Sequence, residues 1–247
     1  MAFGSVAIGF CHPDVWLGAA LFNRCLRDTF RADNHGARRI QDREIEVAGS
    51  QIDVLRNDIV EGFLSHPEKP AWLLMIDADM TWTPADVTRL LAAADEKERP
   101  VMGGLCFAER RASGGKLWPT LMVFEPGPNG KGVAGVKDMT DWPRGEVCRV
   151  DATGAAFLLV HRSVYERMRE RAGPHHPAPW FAITYLPMAR LGEDTTFCLR
   201  ARGLGVPIHV HTGVSIGHVK MRELNEAMFD AQQATQRDEK PQLALAK

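Results

Sequence analysis

Residues 71–82, AWLLMIDADMTW, constrain this chain more than any other stretch. The first six are apolar without alternation. Such a run predicts a strand buried on both faces, as in a parallel sheet covered by helices. The run ends on Asp77-Ala78-Asp79. Carboxylates do not stay ionised inside such a sheet, so the chain must surface there, at the strand's carboxyl end. In open α/β sheets that edge is where ligands bind. Acids spaced i, i+2 in a non-helical segment can face one hard cation. Mg²⁺ and Mn²⁺ take oxygen ligands and can bridge a diphosphate. Thr83-Pro84-Ala85-Asp86 predicts a helix start, with Thr83 as N-cap, Pro84 at the first position and Asp86 closing a capping box.

A chain of 247 residues with 45% hydrophobic and 25% charged residues has the material for a sizeable core. The formal net charge of −1 gives no global field toward nucleic acid or anionic membrane. Five cysteines, odd in number and without a C-x-x-C pair, argue against a disulfide framework and for a reducing compartment. Cys106 and Cys198 lie in apolar or helical contexts and read as packing residues. No apolar run approaches the ~18 residues of a membrane span. The N-terminus has no basic segment followed by an apolar one, so no signal peptide is expected.

Along the chain, Gly4–Phe10 predicts a first strand, followed by a turn at His12 and Asp14 and a helix near Val15–Phe30. His12 and Asp14 read as turn and cap residues. Arg31–Arg43 reads as a loop and Glu44–Ala48 as a weak second strand. Ile52–Leu64 has helical periodicity. On it, Arg56-Asn57 is either a solvated polar face or a cation and an amide aimed at the sheet edge. Pro84–Lys97 predicts a helix and Pro100–Phe107 a buried strand. The glycines inside that strand, Gly103 and Gly104, suggest a bulge or a ligand close to the backbone. Glu109–Lys116 reads as a loop, Thr120–Glu125 as a strand and Pro126–Gly135 as a hairpin tip. Ala155–Val160 reads as another buried strand, and Ser163 begins a capping box for a helix to about Ala172.

Gly173–Leu191 is rich in proline and carries Trp180 and Tyr185, so it reads as a long loop of the kind that forms lids. Glu193 and Asp194 stand before a helix over Thr195–Arg202. They are either simple caps or site acids held ionised by the helix dipole. His209 and His211 share one strand face, and His218 follows. Residues 220–247 read as an amphipathic helix fading into a flexible tail. No internal repeat or linker divides residues 1–219.

Four segments in this order resemble the GT-A-fold glycosyltransferases, especially the inverting family-2 group. Leu55-Arg56-Asn57 looks like the family's "ARN" segment, and IDADM at Ile76–Met80 is similar to its D-x-D. TGAAFLLV at Thr153–Val160 looks like the acceptor-side strand, and GEDTTFCLRAR at Gly192–Arg202 resembles the E-D helix start. The resemblance implies an α/β fold: a mixed, mostly parallel central sheet flanked by helices in one domain. It implies a nucleotide-sugar donor, a UDP-sugar first among them, with Mn²⁺ or Mg²⁺ held by Asp79, Asp77 and His218. Asp77 and Ala78 would face the donor, Arg56 and Asn57 its base or phosphates, and the backbone near Gly9 and Phe10 the base pocket. Asp194 would be the catalytic base with Glu193 beside it, and Trp180 or Tyr185 would stack on a sugar or base from the lid. The first strand lacks the family's proline-rich opening, and the second lacks the usual terminal aspartate.

The implied reaction is hexosyl or pentosyl transfer in the cytoplasm, or in a host's cytoplasm for a phage-type enzyme. The acceptor is left open among a protein, a glycan and a modified DNA base. A nucleotidylyltransferase of the same fold needs a Gly-rich basic loop after the first strand, and CHPDVW is not one. A non-catalytic carbohydrate- or nucleic-acid-binding module explains poorly why acids stand at strand ends. A zinc hydrolase built on His209, His211 and His218 is the remaining alternative, since H-x-H on a strand can ligate metal.

Overall fold

The computed structural model describes residues 4–13, 19–36, 39–41, 43–110, 116–173, 175–187 and 189–220. Asp14, part of the helix start expected near Val15, and the helix and tail expected beyond Lys220 lie outside them.

Seven strands form the central sheet: β1 (Val6–His12), β2 (Ile45–Ala48), β3 (Trp72–Asp77), β4 (Val101–Leu105), β5 (Val147–Val150), β6 (Phe157–His161) and β7 (Ile208–Ser215). Their order is β5-β7-β4-β6-β3-β1-β2. β1 pairs in parallel with β2 and β3, and β7 in parallel with β4. β6 runs antiparallel between β3 and β4, and β5 antiparallel on the edge beside β7. Five strands therefore point one way and two the other. The expected mixed, mostly parallel sheet is present.

The unalternated run has the expected cause. Trp72, Leu74 and Ile76 pack on one face of the sheet, with α1 (Ala19–Asn34) and α3 (Pro84–Ala93). Leu73 and Met75 pack on the other, with α2 (Ile52–Ser65), α4 (Arg162–Ala172) and α5 (Glu193–Gly203). Both faces are dry, so neither set of alternating positions can be polar. Gly9 belongs to this packing: a Cβ there would lie 2.5 Å from Ile59 Cγ2, so glycine lets α2 sit directly on β1. Gly103 and Gly104 are also explained by packing. A Cβ on Gly103 would meet Thr153 and Val210 at 3.3 Å, and one on Gly104 would meet Phe157 and Ile216 at 3.0 Å. No ligand approach is needed to account for them.

Several local expectations change. α1 runs on to Asn34, into the stretch read as a loop, and α3 stops at Ala93. Glu109, Arg110 and Lys116, at the ends of the segment read as a loop, belong to a strand pair, Phe107–Arg110 with Lys116–Pro119; residues 111–115 lie outside the described ones. His161, not Ser163, caps α4: its ring accepts the Ser163 amide. The first residue of that helix, Arg162, donates to Phe63 O, Leu64 O and Pro70 O at 2.9–3.2 Å, satisfying carbonyls at and beyond the α2 C-terminus. Thr83 and Asp86 form the expected capping box at α3. His209 and His211 lie on β7, one strand in from the edge, where burial and nearby arginines lower both imidazole pKa values.

Candidate active site

Asp77 is the last residue of β3, and its Cα stands opposite Cys11 of β1. Beyond it the chain turns through Ala78 and Asp79 into a two-residue strand, Met80–Thr81. That strand pairs antiparallel with Gly217–His218, which follows β7. Trp82 fixes the turn from beneath, donating from Nε1 to Thr29 Oγ1 at 2.8 Å and meeting the Phe22 ring edge-on at 5.2 Å. Two segments 139 residues apart in sequence are thus joined by a backbone ladder, which brings His218 to Asp79.

The acids expected to act together divide into two clusters. In the first, His218 Nε2 lies 2.9 Å and Lys220 Nζ 2.8 Å from Asp79 Oδ2. Burial raises the Asp79 carboxyl pKa, but the hydrogen bonds from His218 and Lys220 prevail and hold it down at about 2. The Asp79 hydrogen bond raises the His218 pKa against its burial. His218 Nδ1 lies 2.9 Å from Phe107 O. A proton on Nδ1 is thereby fixed, and Nε2 donates to the ionised Asp79 carboxylate, so Nε2 becomes a ligand only on giving up that proton.

In the second cluster, Arg56 of α2 is 3% exposed and carries two carboxylates. Its Nη2 donates to both oxygens of Asp77 at 2.8 and 3.0 Å, and its Nη1 to Glu193 Oε1 at 2.6 Å. Burial alone lowers the guanidinium pKa; Asp77, Glu193 and Asp194 outweigh it and keep Arg56 ionised. Asp194 is not held by the guanidinium. It accepts its own helix's Thr195 amide at 2.7 Å. Its pKa is raised, first by burial and then by Glu193 and Asp77, with Arg56 and the Thr195 hydrogen bond opposing. One buried cation thus orients two acids, and the third, whose pKa burial raises, stands at a cleft.

That cleft is lined by Trp118, Thr120, Met122, Asp138 and Arg190 along with Asp194. A neighbouring cleft contains His218 and Lys220, with Phe107, Glu109 and Leu117. The hairpin of Phe107–Arg110 and Lys116–Pro119 stands between them. Its alternating residues, Phe107, Glu109 and Leu117 against Ala108 and Trp118, line opposite clefts.

Several sequence expectations are corrected. Asp77 is turned onto Arg56, and among the described residues no group of three or more His, Cys, Asp or Glu is gathered for a metal. His209, His211 and His218 therefore make no zinc site. Arg56 is neither a solvated face nor turned outward to a base. Asn57 serves the loop: its Nδ2 donates to Asp53 O at 2.6 Å and Phe181 O at 2.7 Å, and its Oδ1 accepts the Trp180 and Phe181 amides at 3.4 Å. Trp180 is fully buried, donates to Tyr165 O at 2.8 Å and lies under the Arg169 guanidinium at 4.8 Å, so it anchors the loop and is no lid residue. The Phe10 side chain, 2% exposed, packs on Phe22, and Gly9 makes room for α2. Ala78 is buried between the two acids. Tyr185 alone of the lid pair is exposed, at 77%.

Sequence reasoning missed Lys220, although its place two residues beyond His218 on an extended segment puts both on one side. It also missed the second cleft, which is built from hairpins with no sequence signature. All five cysteines are free and buried, with burial raising Cys11 to about 11 and Cys198 to about 12, so they are packing residues. No described helix is long and apolar enough to cross a membrane.

Asn57→Ala should leave the Phe181 carbonyl without its partner inside the protein, at a cost of about 1–3 kcal/mol. Amide exchange at Trp180 and Phe181 should quicken, with donor affinity unchanged. Loss of donor affinity with normal exchange would return Asn57 to the binding site.

The Asp79–His218 pair fits a divalent ion. Asp79 Oδ2 and His218 Nε2 are 2.9 Å apart at a half-exposed edge, and a cation there would replace the Nε2 proton and the Lys220 contact to Oδ2. Mn²⁺ and Mg²⁺ sites commonly use one or two protein ligands and complete their shell with substrate phosphates and water.

No protein-family model matches the sequence, and no curated protein matches it significantly. Solved structures do match the fold. A197 from STIV is similar over 88% of this chain and 86% of its own, with a TM-score of 0.52 and 15% identity. GalNAc-T7, solved with UDP, GalNAc and Mn²⁺, is similar over 90% of this chain, with a TM-score of 0.55 and 10% identity. This chain spans 44% of the GalNAc-T7 chain. Sheet order and these likenesses agree on the architecture: the chain has a GT-A-like mixed α/β fold.

Proposed function

We propose that this protein transfers a sugar from a nucleotide-diphosphate sugar, a UDP-sugar first among them, to an acceptor hydroxyl with inversion. The observation that carries the reading is the division of labour at the sheet edge. Arg56 ties down Asp77 and Glu193, while Asp194, with a raised pKa, stays at a cleft. A buried carboxylate of raised pKa is suited to take a proton near neutral pH. The fold and the UDP and Mn²⁺ in the GalNAc-T7 structure support the donor class.

Asp79 and His218 would hold the divalent ion, with Lys220 as a further cation beside it. Bound there, the ion would offset the charge that builds on a departing diphosphate. Asp77, oriented by Arg56, would hold the donor's ribose or sugar hydroxyls. The acceptor would occupy the cleft of Trp118, Arg190 and Asp194. Its hydroxyl oxygen forms the new bond to the anomeric carbon, and the nucleoside diphosphate leaves with the electrons of the old one. Asp194 takes the hydroxyl proton. Tyr185, 77% exposed, would contact a bulky acceptor, for which protein, glycan and modified DNA base are the classes to try.

A thermal-shift screen of nucleotide sugars with and without Mn²⁺ tests the reading. We expect a metal-dependent rise in melting temperature for UDP-sugars. No shift with any nucleotide sugar in either condition would overturn it.

A further inference from the structure

A separate cavity opens where α4 and α5 end. Met168 of α4, Pro179 of the loop and Leu204 after α5 give it apolar walls. Arg171, His176 and Arg200 line it as well. It lies about nine residues along α5 from Asp194, or ~14 Å at the helical rise, away from the sheet edge.

The cations here differ from their neighbours. Arg169 pairs with Glu61 at 2.6 Å, Arg202 with Asp151 at 3.4 Å, and Arg167 donates to Leu204 O at 2.6 Å. Arg200 donates one hydrogen bond, from Nη1 to Ala178 O at 2.6 Å, and burial lowers its guanidinium pKa with no acid opposing. No described carboxylate pairs with Arg171 or Arg200. His176 Nδ1 accepts the Ala178 amide at 3.1 Å, which leaves the ring proton on Nε2 as a donor. Relief of the helix dipoles accounts for a basic last turn. It does not account for two guanidinium groups and an imidazole lining one cavity with no counter-ion among the described residues.

We propose that this cavity is a second ligand site, taking a phosphomonoester carried on a small apolar body. Arg171 and Arg200 hold the phosphate oxygens, and His176 donates from Nε2. A carboxylate fills one guanidinium fork, whereas a phosphate can engage both forks and the imidazole. The apolar walls take the body. An occupant joins α4 to the helix whose other end carries Glu193 and Asp194. The site is independent of the transferase reading, since its ligand and its residues are different.

The test is titration calorimetry in EDTA, so that no metal assists phosphate at Asp79. The probes are phenyl phosphate, inorganic phosphate and benzoate. Phenyl phosphate should bind best, and Arg171→Ala should weaken it about tenfold or more. That variant should keep its melting temperature, because Arg171 makes no ion pair or hydrogen bond within the described residues. Asp79→Ala should bind phenyl phosphate as the parent does. Equal binding by the parent and Arg171→Ala, or no binding by the parent, would overturn the site. Benzoate binding as tightly as phenyl phosphate would overturn the phosphate assignment.

Discussion

Asp194→Asn should slow sugar transfer to the acceptor by ~10²–10⁴, the usual worth of general-base catalysis. The substitution keeps size and shape and removes only the capacity to accept the proton. Donor affinity should barely change, because the donor's proposed contacts lie at Asp79, His218 and Asp77. The pH profile gives a second signature. Burial, Glu193 and Asp77 raise the Asp194 pKa, so the acid limb of the parent's rate should lie above the ordinary carboxylate range and vanish in the variant. The stability sign is opposite. A carboxyl whose folded pKa is raised contributes stability below its unfolded pKa, and that contribution is lost as pH rises through the folded value. Asp194→Asn should therefore melt no lower than the parent at neutral pH. Lower melting together with unchanged rate would make Asp194 a structural acid. Glu193→Gln should behave differently, since Glu193 is bound to Arg56. It should weaken substrate binding more than it slows the chemical step.

Asp79→Ala should abolish metal-dependent donor binding and transfer while the fold persists. Asp79 stands at the surface edge of the sheet, its side chain 40% exposed, and supports no core packing. The hydrogen bonds from His218 and Lys220 hold its carboxyl down at about 2, so it stands ionised at neutral pH. UDP affinity should become insensitive to Mn²⁺ in the variant. Unchanged turnover would remove the D-x-D assignment. A parent enzyme indifferent to EDTA would instead point to Lys220 as the charge facing the diphosphate.

The central strand was legible because burial on both faces leaves an unalternated apolar run, and the charged residues that follow must leave the sheet. The capping box at Thr83 was legible because its chemistry is local. The fates of Arg56 and Asn57 were not. Both sit at positions where helical periodicity permits polar residues, and only the fold brings Glu193 to one and the Phe181 carbonyl to the other, 137 and 124 residues away. Trp180 illustrates the same limit: an aromatic residue in a proline-rich loop reads as a lid, yet the loop folds back and buries it against Tyr165 and Arg169. The approach of Ile59 to β1, which requires a glycine at position 9, leaves no sequence pattern either. The pairing of Asp79 with His218 was expected from the resemblance alone. Its physical cause, the ladder between Met80–Thr81 and Gly217–His218, involves strands too short to leave a pattern.

The most direct test of the central claim is release of UDP from UDP-sugars, followed by NMR in the presence of Mn²⁺ for the parent and for Asp79→Ala. Slow hydrolysis to free sugar can be read without knowing the acceptor. The account predicts UDP release from at least one UDP-sugar, with the freed sugar first appearing as the inverted anomer, and none from Asp79→Ala. Equal release by parent and variant, or none from the parent with any nucleotide sugar, would contradict it.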